Sequence, residues 1–355
     1  MSQDTTQPPS SARASDDLNR ARALRTDFEG IKAQIQRRIV GQQEVVELSL
    51  LTLLMGANSM LVGVPGMAKT LLVQSVAESL ELAFSRIQFT PDLMPSDITG
   101  TDLVQEDPDS GRRSLRFLHG PVFANIVLAD EINRTPPKTQ AALLEAMQER
   151  QVTVQGRTYP LPEPFFVFAT RNPIELEGTY PLPEAQLDRF AFEIVLDYLP
   201  EEEELAVVRS TTSVPGAPPS AVIGGEALLD YQALVRRVPM AEEVGRHALS
   251  LVRATRPGTD AAAPFADRWL AYGASVRAAQ YLALAGKARA LMGGRLHVGF
   301  SDIRAMLRPV LRHRLLLNFQ AQSERIGVDQ IIDELLEAVP SPGETSAAGG
   351  GSGGT

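Results

Sequence analysis

The stretch Ser59-Met60-Leu61-Val62-Gly63-Val64-Pro65-Gly66-Met67-Ala68-Lys69-Thr70-Leu71-Leu72-Val73-Gln74-Ser75-Val76-Ala77-Glu78 decides the fold. An apolar run of strand length enters a loop rich in small residues, and the loop enters a segment with helical apolar spacing. That is the order a phosphate-binding loop requires. Small residues let backbone N–H groups close around phosphate oxygens, and the positive end of the following helix points at the same anion. Gly63, Val64, Pro65, Gly66, Met67, Ala68 and Leu71 would then wrap the phosphates of ATP. Lys69 would reach the β- and γ-phosphates, and Thr70 would hold Mg²⁺. Ala68 stands where such loops usually carry a second glycine. With helical dihedrals one methyl group is tolerable there, whereas a φ above zero would work against binding. The bland alternative is a plain strand-to-helix turn.

On either side, apolar runs alternate with segments of helical period, the signature of a parallel sheet covered by helices. The candidate strands are 59–62, 84–89, 125–129, 165–169 and 190–196. The third ends in Asp130-Glu131, two carboxylates at the C-terminal edge of the sheet, where ligands bind in such folds. Asp130 would support the Mg²⁺ shell, and Glu131 would polarise the water that attacks the γ-phosphate. Alone, Asp-Glu after a strand is most often a solvated strand end; the phosphate loop upstream gives the pair a partner. The other acidic cluster, Asp92, Asp97, Asp102, Glu106, Asp107 and Asp109, lies among prolines and glycines and reads as a solvated loop without repeating ligand spacing.

Of 355 residues, 44% are hydrophobic and 22% charged, enough for one large domain or two smaller ones. There is no cysteine, which excludes disulfides, thiolate zinc sites and cysteine nucleophiles. The four histidines, His119, His247, His297 and His313, show no metal-ligand spacing. A net charge of −9 argues against broad binding to nucleic acid or anionic membranes. No secretion-type apolar core and no run approaching about 18 apolar residues is found. The expectation is a cytoplasmic protein without direct membrane insertion.

Composition divides the chain into a flexible tail (1–19), an αβα core (20–200), a connecting helix and linker (201–225), a helical lid (226–340) and a flexible Gly/Ser tail (341–355). Within 301–317, Ile303, Met306, Leu307, Val310, Leu311 and Leu315 recur at steps of three and four, predicting one helix with an inward stripe. Arg304, Arg308, Arg312 and Arg314 then read as its solvated face rather than as phosphate contacts.

From Val40-Gly41-Gln42 through Asp188-Arg189-Phe190 the chain resembles the MoxR family of AAA+ ATPases. The strings that carry the resemblance are GVPGMAKT, FTPDLMPSDITG, GPVFAN, LADEINRTPPKTQAALLEAMQERQVTV and ATRNPIELEGTYPLPEAQLDRF. It implies an α/β fold, an AAA+ P-loop αβα core with a parallel sheet followed by a small all-α lid. In ATRNP, Asn172 matches the sensor-1 position, which orients the hydrolytic water; in isolation it is also a plausible turn asparagine before proline. Arg189 matches the arginine finger inserted into a neighbouring subunit's site, the competing view being an arginine paired with Asp188 or Glu184. Arg277, in Gly273-Ala274-Ser275-Val276-Arg277, matches sensor 2, reaching the nucleotide from the lid. Val276 stands where many members carry proline, and Arg171 where glutamine is frequent. The family's helix-2 insertion falls within 89–123, including Gly120-Pro121, and a hairpin at 151–159 turns at Gly156. Whether either contacts a substrate stays open.

The resemblance further implies a Mg²⁺-dependent ATPase assembled as a homo-oligomeric, hexameric ring. Its expected work is chaperone-like remodelling or maturation of partner proteins, often by metal or cofactor insertion, with a von Willebrand factor A domain protein as partner or client. Nucleic acid is not an expected partner. The alternatives are an ATP-gated assembly scaffold with negligible turnover and a chelatase-like motor subunit.

Overall fold

The computed structural model describes residues 11–106, 113–175, 178–213 and 217–342. Helix α1 (Ser11–Gln36) buries Ala21, Leu24, Phe28, Ile31 and Ile35, which recur at steps of three and four. Residues 11–19, expected to be a flexible tail, are therefore helical. Ala and Arg favour the helix, and Asp17 pairs with Arg237 at 2.9 Å. Residues 1–10 lie outside the described residues. Helix α2 (Gln43–Met55) is almost wholly buried and ends at Gly56, whose φ of 64° turns the chain into β1 (Ser59–Val62).

Helix α3 (Lys69–Ser79) leads to β2 (Phe84–Gln88). Helix α4 (Pro95–Thr99) and the antiparallel strands β3 (Gly100–Glu106) and β4 (Arg113–His119) come next. The acidic stretch read as a loop is thus mostly a helix and a hairpin: Asp97 lies in α4, and Asp102 and Glu106 lie in β3. Asp107 and Asp109 are outside the described residues. Gly100, at φ 97°, fits where a Cβ would sit 2.2 Å from the Leu118 carbonyl oxygen, so the hairpin can close directly on α4.

Strand β5 (Ile126–Asp130), α5 (Pro137–Glu149), the hairpin β6 (Gln151–Val154) and β7 (Arg157–Pro160), β8 (Phe166–Arg171), α6 (Glu184–Leu187) and β9 (Phe192–Val195) complete the core. The hairpin expected at 151–159 is present, with Gly156 at its turn (φ 77°). Each of the five candidate runs is a strand, and all pair in parallel in the order β2-β5-β8-β1-β9. Alternate residues go to opposite faces. Leu61, Leu128, Phe166 and Phe168 join the α1–α3 side. Met60, Val62, Val127 and Val167 join the α5 side.

The remaining chain contains α7 (Glu201–Thr211), α8 (Gly225–Arg237), α9 (Glu242–Ala254), α10 (Pro264–Trp269), β10 (Leu270–Tyr272), α11 (Val276–Met292), α12 (Phe300–Ala305), α13 (Leu307–Leu311), β11 (Leu316–Leu317), α14 (Phe319–Ser323) and α15 (Val328–Ala338). Among the described residues its regular structure is helical apart from the β10–β11 ribbon. The single helix expected across 301–317 is two, separated at Met306 (φ −92°, ψ 0°). Pro309 accounts for the break, because it has no N–H for the Ala305 carbonyl and its ring crowds that group. Among the described residues no helix is long and apolar enough to cross a membrane.

Nor do the four arginines of this segment form a solvated face. Arg314 is 2% exposed and joins the helical unit to the core. Its Nε donates to Asp188 Oδ1 at 2.8 Å, and its Nη2 donates to the Asp188 and Phe190 carbonyls at 2.9 and 2.6 Å. Arg308 and Arg312 pair with Asp333 and Asp329, and Arg304 donates to the Leu336 and Val339 carbonyls. Replacing Arg314 with Met leaves several core carbonyls without their donor. Such a change to a buried pair costs about 3–5 kcal/mol, a loss that chemical denaturation would read; a loss below about 1 kcal/mol would show that the joint carries no weight.

Candidate nucleotide site

The phosphate loop is shaped by close approach. At Gly63 a Cβ would sit 2.9 Å from the Leu196 carbonyl oxygen, and Gly66 adopts φ 88° with open space around it. Ala68, at φ 56° and ψ 24°, is left-handed, so the less favourable of the two dihedral alternatives is the one realised. Lys69 opens α3 and folds back under the loop, donating from Nζ to the Gly63 and Val64 carbonyls at 2.5 and 3.1 Å. Burial pushes its ammonium below the ordinary lysine value, while Asp130, Glu131 and Glu175 act the other way.

A cavity of ≈ 460 Å³ is lined by residues 65–71 together with Arg86, Asp130, Glu131, Thr170 and Asn172. The loop and the acid pair, some sixty positions apart in sequence, meet because β1 and β5 both end at the C-terminal edge of one parallel sheet. Thr170 Oγ1 accepts from the Glu131 backbone N–H at 2.8 Å and donates to Asp130 Oδ1 at 2.6 Å. Arg86 donates to Asp130 Oδ2 through Nε and Nη2, at 3.0 and 2.6 Å. Glu131 Oε2 accepts from Gln88 Nε2 at 3.1 Å and from Arg134 Nη1 at 2.8 Å. Glu131 also sits at φ 57°, a left-handed residue on the wall of the cavity. Asn172 Oδ1 accepts from the Ile174 N–H at 3.2 Å, but its buried Nδ2 has no partner. A ligand oxygen in the cavity would satisfy that donor.

The residues also fit Mg²⁺. Thr70 and Asp130 offer a hydroxyl and a carboxylate, and Asp130 keeps lone pairs beyond those Thr170 and Arg86 engage. Such all-oxygen sets suit Mg²⁺ completed by water and substrate phosphates. Among the described residues no group of three or more His, Cys, Asp or Glu side chains could cage a metal alone.

The sequence reading missed Arg86, Gln88, Arg134 and Thr170. A signal existed for two of them: Arg86 and Gln88 are polar at alternate positions of β2, and Gln88 is in register with Asp130. It also missed an adjoining cavity of ≈ 430 Å³, which shares Gly66, Met67, Ala68 and Leu71 and adds Val40 and Leu199.

Arg189 and Arg277 do not line the phosphate cavity. Both line another, of ≈ 280 Å³, with Gly56, Asn58, Arg150 and Arg236. Asn58 precedes β1, Arg189 precedes β9, and Arg150 donates to the carbonyls of Gly56 and Phe165, which lie ahead of β1 and β8, so this cavity lies at the N-terminal edge of the sheet. The placement of Arg277 corrects the expectation that it reaches this chain's own nucleotide. Helix α11 packs against α2, which delivers the chain to the start of β1, not to its end. Arg277 Nη1 lies 3.4 Å from Asp188 Oδ2. Asp188 is thus taken by Arg314 and Arg277, and neither it nor Glu184 is an ion-pair partner of Arg189 among the described residues.

A parallel sheet with a phosphate loop, an acid pair at the same edge and a following helical unit defines an AAA-type P-loop protein. Residues 58–192 match the ATPase family associated with various cellular activities (AAA), and residues 263–335 match the AAA lid domain. The chain is 43% identical over 310 residues to "Chaperone MoxR1" of Mycobacterium tuberculosis, covering 87% of this chain and 81% of that one. It is 30% identical over 334 residues to "Protein MoxR" of Paracoccus denitrificans, covering 89% and 96%. A crystal structure of a candidate ATPase from Cytophaga hutchinsonii superposes with a TM-score of 0.85 at 38% identity, covering 93% and 99% of the two chains. The chain belongs to the MoxR family of AAA ATPases.

The left-handed alanine makes a prediction. That conformation costs an L-residue about 1–2 kcal/mol, and glycine's extra unfolded-state entropy offsets about half of the relief. Ala68→Gly is expected to raise stability by up to about 1 kcal/mol, and Ala68→Val to lower it. Urea midpoints moving the other way would refute the strain.

Proposed function

We propose that this chain hydrolyses ATP with Mg²⁺ in a ring of its own copies and uses the turnover to remodel a partner protein. The carrying observation is the separation of the two edges. Lys69, Thr70, Asp130, Glu131 and Asn172 lie about the C-terminal edge of the sheet, while Arg189 and Arg277 lie about the N-terminal edge. A four-residue strand alone is about 13 Å long, so one chain's arginines do not serve its own phosphate loop. A second copy packed head to tail brings one edge to the other, and repetition of that contact closes a ring.

In this reading the loop N–H groups and Lys69 bind the β- and γ-phosphates, and the adenine base enters the adjoining cavity beside Met67, Val40 and Leu199. Mg²⁺, held by Thr70 and Asp130, supplies neutralising charge to phosphate oxygens when bound. Thr170 and Arg86 fix the Asp130 carboxylate, and Gln88 and Arg134 fix Glu131 through Oε2, leaving Oε1 to take the proton of the attacking water. Asn172 orients that water. Water oxygen bonds to the γ-phosphorus, the bond to the bridging oxygen breaks, and its electron pair leaves with ADP. Arg189 and Arg277 of the neighbouring copy meet the charge that develops.

The name of the Mycobacterium tuberculosis relative supports the chaperone part of the reading. Maturation of a protein bearing a von Willebrand factor A domain, including metal insertion, is the form that work would take. A scaffold with negligible turnover is the competing class. Glu131→Gln is expected to lower kcat by at least about a hundredfold while ATP still binds, and Lys69→Ala to abolish the heat of Mg-ATP binding in calorimetry. Turnover within about twofold of wild type in Glu131→Gln would sink hydrolysis at this site. Sedimentation of Glu131→Gln with ATP as a monomer would sink the ring.

A further inference from the structure

We propose that Arg236, on α8, is a third cation of the edge that carries Arg189 and Arg277, and that it meets the triphosphate of ATP bound in a second copy of this chain. The proposal rests on the ring reading above and adds a residue to it that no sequence motif singles out.

Arg236 lines the cavity that holds Arg150, Arg189 and Arg277, and no Asp or Glu lines that cavity among the described residues. Most arginines of the helical unit have a carboxylate. Arg237 has Asp17, Arg289 and Arg295 share Asp302, Arg308 has Asp333, Arg312 has Asp329 and Arg314 has Asp188. Arg236 and Arg189 have no ion-pair partner or side-chain hydrogen bond among the described residues. The Arg236 backbone carbonyl instead accepts from Lys287 Nζ at 3.1 Å, which brings one more cation to the place. Burial holds the Lys287 ammonium below its ordinary value, and the Arg236 guanidinium adds to that push.

Gathered like charges raise the free energy of a chain unless an anion comes to them. A cation in the last turn of α8 also suits the helix dipole, but Arg237 already supplies one there, with its own carboxylate. A polyanion of triphosphate size matches several guanidinium groups around ≈ 280 Å³ better than a single carboxylate does. As the bond between the γ-phosphorus and the bridging oxygen breaks and its electron pair passes to ADP, negative charge grows on oxygens that Arg236 would face. An acidic patch on the neighbouring copy is the other source of negative charge, and the test separates the two.

Arg236→Ala, Arg189→Ala and Lys69→Ala full-length chains are compared alone and as equal mixtures assembled with ATP. Arg236→Ala is expected to lower kcat about tenfold or more, with sedimentation and the affinity for a fluorescent ATP analogue unchanged. Arg236→Lys, which keeps the charge, is expected to recover part of that loss. Mixed with Lys69→Ala, whose arginine edge is intact, Arg236→Ala chains are expected to show more activity than either parent alone. An unaltered kcat in Arg236→Ala overturns the proposal, and so does a loss explained by failed assembly, which would assign Arg236 to a static contact with an acidic patch. If the Arg189→Ala mixture regains activity and the Arg236→Ala mixture does not, Arg236 acts within its own chain and only this proposal falls. If neither mixture regains activity, the ring reading fails with it.

Discussion

Everything in this chain follows from the polarity of its five-stranded sheet. Because all neighbours are parallel, every strand ends at the same edge, and the loops that follow β1, β5 and β8 gather Lys69, Thr70, Asp130, Glu131 and Asn172 around one cavity. Parallel strands need crossover helices, and those cover both faces, so the strands are apolar on both sides. The same polarity puts the segments before β1, β8 and β9 at the opposite edge, where Arg189 sits and Arg150 donates to the Gly56 and Phe165 carbonyls. One rule of strand direction thus produces an anion-binding edge and a cationic edge, facing away from each other on a single chain.

The cationic edge is not independent of the helical unit. Asp188 accepts from Arg314 and Ser275 and pairs with Arg277, all from the helical unit, and Arg189 is its immediate neighbour in the chain. The Tyr281 hydroxyl, also from that unit, donates to the Arg189 carbonyl at 2.9 Å. Because Arg314 is buried, its contacts gain from low dielectric and would leave unsatisfied groups behind if broken. The helical unit and the Arg189 backbone therefore move as one piece or at substantial cost. In the proposed ring, displacing that unit would re-aim the arginine presented to a neighbour.

What was legible in the sequence was what is local. The phosphate loop could be read because strand, loop and helix are contiguous, and the acid pair because it directly follows a buried strand. The hairpin at 151–159 was visible from its turn glycine. Features fixed by tertiary docking were not visible. Arg277 matches a motif, but which edge of the sheet it reaches depends on α11 lying against α2, and no spacing within 273–277 encodes that. Arg314 reads with Arg308 and Arg312 as solvated, yet at about 100° per residue it falls about 200° from Arg312 on the side of Val310, and it is buried against the core. Composition also misread residues 11–19, where the ion pair of Asp17 with Arg237 spans 220 positions. Gln88 and Arg134 were missed because their role is to hold Glu131, which only the sheet register and a short 3-10 turn, Ile132–Arg134, bring about.

The two left-handed residues at the site, Ala68 and Glu131, belong to the same logic. Each sits where a strand or loop hands over to a helix at the C-terminal edge, and each carries a side chain where glycine would be relaxed. At Ala68 the side chain is a methyl group with no hydrogen bond or ion pair to make, so the strain there has no compensating polar partner. At Glu131 the side chain is the base of the proposed hydrolysis. Its backbone N–H is held by Thr170, its Oε2 by Gln88 and Arg134, and these contacts are what keep a non-glycine residue in that region. In the proposed hydrolysis the carboxylate is thereby aimed before any substrate arrives, and the reorganisation that a relaxed loop would leave to the transition state is completed during folding.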